Sequence, residues 1–211
     1  MDYQDYLKLI KTKKTFAFSR FGDGEWMNIR SELAHKNENC DGNVYYRDLG
    51  DRLEEIVSEK RDYYLGMQNM AGRNWPWLLE EYKQDWVKSD IFHNASIKGR
   101  LSDFVEILKE SHVVYIGNES LKSLPFINEF IQLPLQNCWL SYDSFLEEIK
   151  SKCSSEYKVF LFSAGMTSNV FIDDMWNYDP SNAYIDVGSV FDPYVGRNTR
   201  SYHKTLEIKP L

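Results

Sequence analysis

Short β-rich apolar runs alternating with helix-period segments predict a layered α/β domain with a largely parallel sheet. Two further observations make it one domain. The chain has 211 residues, enough to bury a sizeable core, and its 43% apolar and 27% charged content is that of a globular protein. No repeat, low-complexity tract or linker divides it, so residues 1–211 read as a single domain, alone or as part of a longer protein.

The elements follow in order. Residues 15–21 form a first apolar strand that runs into an acidic loop and a short helix from about Trp26. Residues 48–60 carry Leu49, Leu53, Ile56 and Val57 on one helical face, and a strand follows at 63–67. Residues 69–76 are turn-rich, and 77–88 read as helical. Leu101, Phe104, Val105 and Leu108 make another amphipathic stripe, before a β run at 112–116 that ends in Gly117-Asn118-Glu119. Ser144 and Glu147 suggest a capping box, with Phe145, Leu146 and Ile149 behind it. The last third predicts a strand at 157–162, a loop at 163–169 that opens a helix, and a strand at 183–187. Residues 188–203 have no clear period, and irregular segments beside a sheet are where binding groups often sit.

Charge and cysteine usage narrow the function. A net charge of −7 and a pI near 5.2 argue against a nucleic-acid binder, which needs a basic footprint. No apolar stretch approaches bilayer-spanning length, and residues 1–14 are too polar for a secretory signal. Cys40, Cys138 and Cys153 are odd in number and lack C-x-x-C spacing, which predicts neither a disulfide framework nor a zinc knuckle. The expectation is a reduced, cytoplasmic protein. The 14 Tyr, 12 Phe and 6 Trp are either core residues or platforms for sugar rings, with Trp75, Trp77 and Tyr194 the candidates for stacking.

The most informative segment is Ser19-Arg20-Phe21-Gly22-Asp23-Gly24-Glu25. Two carboxylates spaced i, i+2 point the same way from extended backbone, and hard oxygens so placed suit a divalent cation that also holds phosphate. The plainer reading is an acidic turn that opens the next helix. Gly165-Met166-Thr167-Ser168 begins a helix after a strand, where free N–H groups and a positive dipole end favour an anion; alternatively, Ser163 or Thr167 simply caps that helix. With Asn118 and Glu119, and with Asp186 and Gly188, these segments all follow strands, and ligands of open α/β sheets collect on that rim. Asp186 and Asp192 either act on a ligand or brace the turn before Pro193. His35, His93, His112 and His203 form no H-E-x-x-H pattern, and no G-x-S-x-G elbow occurs. His203, with Arg197 and Arg200, makes a cluster suited to phosphate or to a solvated face.

With these residues assembled, the chain resembles the bacterial glycosyltransferases of the GT-D fold. The resemblance is carried in order by Ser19 to Glu25, Tyr115-Ile116-Gly117-Asn118-Glu119-Ser120, Leu133-Pro134 with residues 142–149, residues 162–169, and Asp186-Val187-Gly188. It departs from the family pattern where Lys122 stands near the place of an expected Arg, and where Ser189-Val190-Phe191-Asp192-Pro193-Tyr194 follows Gly188. The resemblance implies a Rossmann-like core and a nucleotide-sugar donor, UDP-glucose favoured. It places Mn²⁺ or Mg²⁺ on Asp23 and Glu25 with Arg20 beside them. The donor side would comprise Arg20, Phe21, Gly22, Asn118, Gly165, Met166, Thr167, Ser168, Asp186 and Gly188.

An acceptor hydroxyl on a glycan or glycoprotein needs a base, for which Asp192 comes first and Glu119 second. Tyr194, Arg197 and His203 are the acceptor-side candidates. Two other classes fit parts of the sequence. A methyltransferase would use the turn after residues 113–118, which lacks Gly-x-Gly and leaves the acidic pair without a purpose. A non-enzymatic carbohydrate-binding module would use the aromatics alone.

Overall fold

Among the described residues, seven strands build the sheet: β1 (Phe16–Phe21), β2 (Tyr64–Met67), β3 (Val87–Lys88), β4 (Val113–Asn118), β5 (Glu129–Leu133), β6 (Val159–Phe162) and β7 (Ala183–Asp186). Their order is β3-β2-β1-β7-β6-β4-β5, and every pairing is parallel. This is a computed structural model that describes residues 1–31, 34, 36–68 and 77–206. The expected turn at 69–76, with Trp75, and His35 lie outside the described residues.

Helices on both faces explain why the inner strands read as unbroken apolar runs rather than alternating ones. One face packs under α1 (Tyr3–Lys11), α5 (Ile91–Ile97) and α6 (Leu101–Lys109). The other is covered by α2 (Asp23–Ile29), α3 (Arg47–Ser58), α4 (Trp77–Glu81), α7 (Tyr142–Lys150) and α8 (Thr167–Tyr178). Trp26 on α2 is fully buried and stacks on Tyr82 at 5.5 Å between ring centroids, which pins that short helix. Among the described residues, no helix is long and apolar enough to cross a membrane, and the three thiols are free.

Four expectations change. The helix expected over 77–88 stops at Glu81, and Val87 pairs instead with Gly66 of β2 as a short edge strand. Helix α7 starts two residues before Ser144, and its cap Ser141 makes no side-chain bond, so the Ser144/Glu147 box does not form. Helix α1 arises in the stretch read only as polar: Asp2 and Asp5 bond each other's backbone, while Tyr3, Tyr6, Leu7 and Ile10 fall on one buried face. Strand β5 and helix α5 are additional elements, short and without strong flanking signals.

The outer end of the sheet is held by charge. Glu129 accepts from Lys158 Nζ at 2.8 Å and pairs with His112 Nε2 at 2.9 Å. The Lys158 bond, then that of His112, pull the Glu129 carboxyl from 4.5 down to about 2 against the opposing effect of burial. A depressed carboxyl pKa contributes stability above the unfolded value that is lost as pH falls through the folded one. Acid unfolding followed by circular dichroism therefore steepens between about pH 4.5 and 2, and Glu129→Gln flattens that limb.

Candidate functional site

Strands β1, β7, β6 and β4 are consecutive in the parallel sheet, so their carboxyl ends share one rim. The four segments expected to converge there do so: the acidic segment after β1, Asp186 at the end of β7, the Ser163 loop after β6 and Asn118 at the end of β4. Pairing of Phe18 with Ile185 sets the register that brings Arg20 toward Asp186.

Arg20 is half-buried at the centre of this rim. Its Nη1 meets His93 Nδ1 at 3.2 Å, and its Nε lies 4.0 Å from Asp186 Oδ2. That Nε is buried without a hydrogen-bond partner. Gly188 follows in the left-handed region, at φ +54°, and a Cβ there would sit 2.8 Å from Arg20 Nη1. Only glycine satisfies both demands, since L side chains rarely adopt that backbone and a side chain would displace the guanidinium. Asp186 turns back to accept the Gly188 N–H at 2.9 Å.

The acidic pair departs from the extended geometry expected of it. Asp23 and Glu25 occupy the first turn of α2, where residues two apart project about 200° from each other. Glu25 Oε2 accepts the Gly22 N–H at 2.8 Å, as the acidic-turn reading anticipated. Burial pushes its carboxyl up to about 7; its bonds to backbone and nearby Arg20 oppose this, while Asp186 adds repulsion. Burial likewise raises Asp186, partly offset by Arg20 and the Gly188 N–H. The rim thus holds carboxylates whose ionisation is disfavoured next to the Arg20 guanidinium.

The Ser163 loop serves as a brace. Ser163 Oγ donates to the Gly188 carbonyl at 2.6 Å and bonds the buried Tyr115 hydroxyl at 2.8 Å. Neither Ser163 nor Thr167 caps α8; Met166 does, without a side-chain bond, and Ser168 Oγ accepts from the Ala164 N–H. Met166, Thr167 and Ser168 are buried, and Gly165 is exposed at φ +59°. Ser19 Oγ donates to Asn169 Oδ1 at 2.5 Å, locking α8 onto β1. Phe21 is fully buried against Trp26 and Trp86, so it supports the rim from inside.

Two further segments close on the rim. Residues 36–46 fold around Asn39, whose Oδ1 accepts the N–H groups of Asp41 and Asn43. Asn43 and Asn137 then exchange bonds: Asn43 Oδ1 accepts the Asn137 N–H at 2.8 Å, and Asn137 Oδ1 accepts the Val44 N–H at 2.8 Å. The irregular tail forms 3-10 turns at Asp192–Val195 and Ser201–Thr205. Arg200 grips Asp41 with both terminal nitrogens, at 2.5 and 2.7 Å, joining the tail to the Asn39 loop.

Asp192 is buried, accepting the Thr199 hydroxyl at 2.5 Å with Arg197 Nη1 3.6 Å away, so its side chain ties down the tail that follows rather than the turn before Pro193. His203 is buried, and its Nδ1 accepts the Arg200 N–H at 3.3 Å. Tyr194 is half-buried beside Phe191. Asn118 turns back onto Ser120, leaving Glu119 exposed on the 3-10 turn Glu119–Ser123, which packs against the Asp192 turn. Trp77 is partly exposed, with the Arg30 guanidinium 5.8 Å over its ring. Among the described residues, no three His, Cys, Asp or Glu side chains stand together as a cation site. Sequence reasoning missed the contact of His93 with Arg20 and the Asn39–Asn43–Asn137 network, because both depend on contacts between segments far apart in the chain.

No family model and no curated protein sequence matches the chain. Solved structures do. One, of the highly conserved domain of unknown function 1792, described as having a distinct glycosyltransferase fold, superposes with a TM-score of 0.70 at 18% identity, over 100% of this chain and 90% of that one. A glycosyltransferase (DUF1792) from Streptococcus sanguinis superposes with a TM-score of 0.72 at 15% identity, over 100% of this chain and 93% of that one. The fold is theirs. The expected single-domain α/β architecture, with its parallel sheet and flanking helices, holds for the whole described chain.

The Asn43–Asn137 exchange yields a stability prediction. Asn137 sits at φ +56°, which Asn tolerates and Ala resists. Asn137→Ala loses the Val44 bond and adds backbone strain, for a cost of about 2 kcal/mol read by urea unfolding.

Proposed function

We propose that the chain is a metal-dependent glycosyltransferase that moves a sugar from a nucleoside-diphosphate sugar, UDP-glucose favoured, to a hydroxyl of a glycan or glycoprotein. The observation that carries this reading is Arg20, fixed at the rim with a buried N–H unpaired beside Glu25 and Asp186, in a fold shared with a glycosyltransferase. A leaving diphosphate gains negative charge as the glycosidic bond breaks, and a guanidinium already in place stabilises that charge without reorganising.

Asp23 and Glu25 would hold Mn²⁺ or Mg²⁺. Both offer hard oxygens, and burial that pushes the Glu25 carboxyl up to about 7 is an unfavourable charge that a cation would offset; sharing one ion would require Glu25 to leave the Gly22 N–H and swing toward Asp23, which projects about 200° away on the same turn. Two protein carboxylates suffice where phosphate oxygens complete the shell. Such an ion supplies Lewis-acid stabilisation of the departing diphosphate. The exposed Gly165 and the start of α8 would face the nucleotide side, where backbone N–H groups favour phosphate. For the acceptor proton, exposed Glu119 is the freer of the two carboxylates, since Asp192 would first have to release Thr199. Arg197 and His203, with Tyr194, would lie toward the acceptor.

A donor panel with and without Mn²⁺ tests this reading. Asp23→Ala, and chelation of the native protein, are each expected to lower turnover by roughly 100-fold or more, with the circular dichroism spectrum unchanged. Full turnover in either case contradicts the cation's role.

A further inference from the structure

We infer that His93 is a positioning residue that acts through Arg20, holding its guanidinium at the rim by accepting a hydrogen bond at Nδ1; this rests on the function proposed above. Arg20 is sparsely restrained among the described residues. Its Nη1 to His93 Nδ1 contact, 3.2 Å, is, among the described residues, its one bond within hydrogen-bond range to a side chain. Asp186 is 4.0 Å from Nε, too far for a hydrogen bond, and Gly188 contributes only the absence of a side chain. Without His93 the guanidinium keeps the looser 4.0 Å ion pair with Asp186, which does not set its terminal torsions, and the buried Nε loses its aim.

A guanidinium nitrogen can only donate, so Nδ1 must be the unprotonated nitrogen and His93 the neutral tautomer with its hydrogen on Nε2. The surroundings enforce that state. Burial lowers the imidazole well below its usual range, and Arg20, Arg200 and His203 add to the effect. The ring is held edge-on against Tyr202 at 5.6 Å, and Tyr202 in turn meets His203 at 4.4 Å. Its neighbours on α5, Ile91 and Phe92, are buried in the second core, so the helix that presents the imidazole is itself anchored. His93 thus links the packed underside of the sheet to the Arg20 guanidinium on the rim.

The test has two parts. In the free protein, imidazole ¹⁵N shifts at neutral pH are expected to show His93 with a bare Nδ1 and a protonated Nε2. A protonated Nδ1 overturns the inference whatever the protein does. In donor turnover, His93→Phe, which keeps the ring volume but cannot accept, is expected to lower kcat by 10- to 100-fold with KM little changed. His93→Gln, which retains an acceptor, is expected to recover most of that loss. Combining His93→Phe with Arg20→Ala should cost no more than Arg20→Ala alone, because the imidazole works through the guanidinium. A full additional loss in the double variant, or equal defects in the Phe and Gln variants with unchanged thermal melting, overturns the inference. If native protein turns over no sugar nucleotide, the functional reading falls, while the tautomer measurement still decides the clamp.

Discussion

The hydrogen-bonded pairing of β1 with β7 is the constraint on which the site depends. It joins the first strand of the chain to the last, and so brings Arg20 and Asp186, 166 positions apart in sequence, to one edge. Strands β6 and β4 continue that edge outward, which lets the Ser163 loop brace the Gly188 carbonyl and Tyr115 brace Ser163. The apolar helices on each face fix the sheet, and the sheet fixes the charges.

Those charges are individually unfavourable. Burial disfavours ionised Glu25 and Asp186, and disfavours a protonated His93. Together they leave a guanidinium with, among the described residues, one side-chain hydrogen bond, and carboxyls that would gain from a counter-ion. Such frustration is costly in a resting protein and useful where a polyanionic ligand must be received, because the ligand and its cation complete interactions that the fold leaves unfinished.

Much of this was legible in the sequence. The apolar runs at 112–116 and 157–162 read as strands and form β4 and β6, and the convergence of four strand ends followed from the α/β pattern. The geometry of the acidic pair was not legible: spacing i, i+2 suits both strand and helix, and the Glu25 carboxylate settles on the Gly22 N–H because a helix start leaves that donor free. Helix α1 was hidden because its charged residues mask a stripe at positions 3, 6, 7 and 10. Short elements such as β3 and α5 are set by tertiary contacts rather than by propensity, so His93, carried on α5, gave no sign of its role. The brace on Asp192 by Thr199 needed the fold of the tail, which has no periodic signal.

The most direct measurement is a crystal structure of the protein with a nucleoside-diphosphate sugar and Mn²⁺. The account places the diphosphate within hydrogen-bond reach of Arg20, with the cation between it and the Asp23–Glu25 turn. A cavity of about 480 Å³ lined by Tyr3, Trp86, Asn94, Lys98 and Arg100 offers a rival location that contains none of these residues. A donor seated there, with Arg20 untouched and no ion on the acidic turn, would contradict the account.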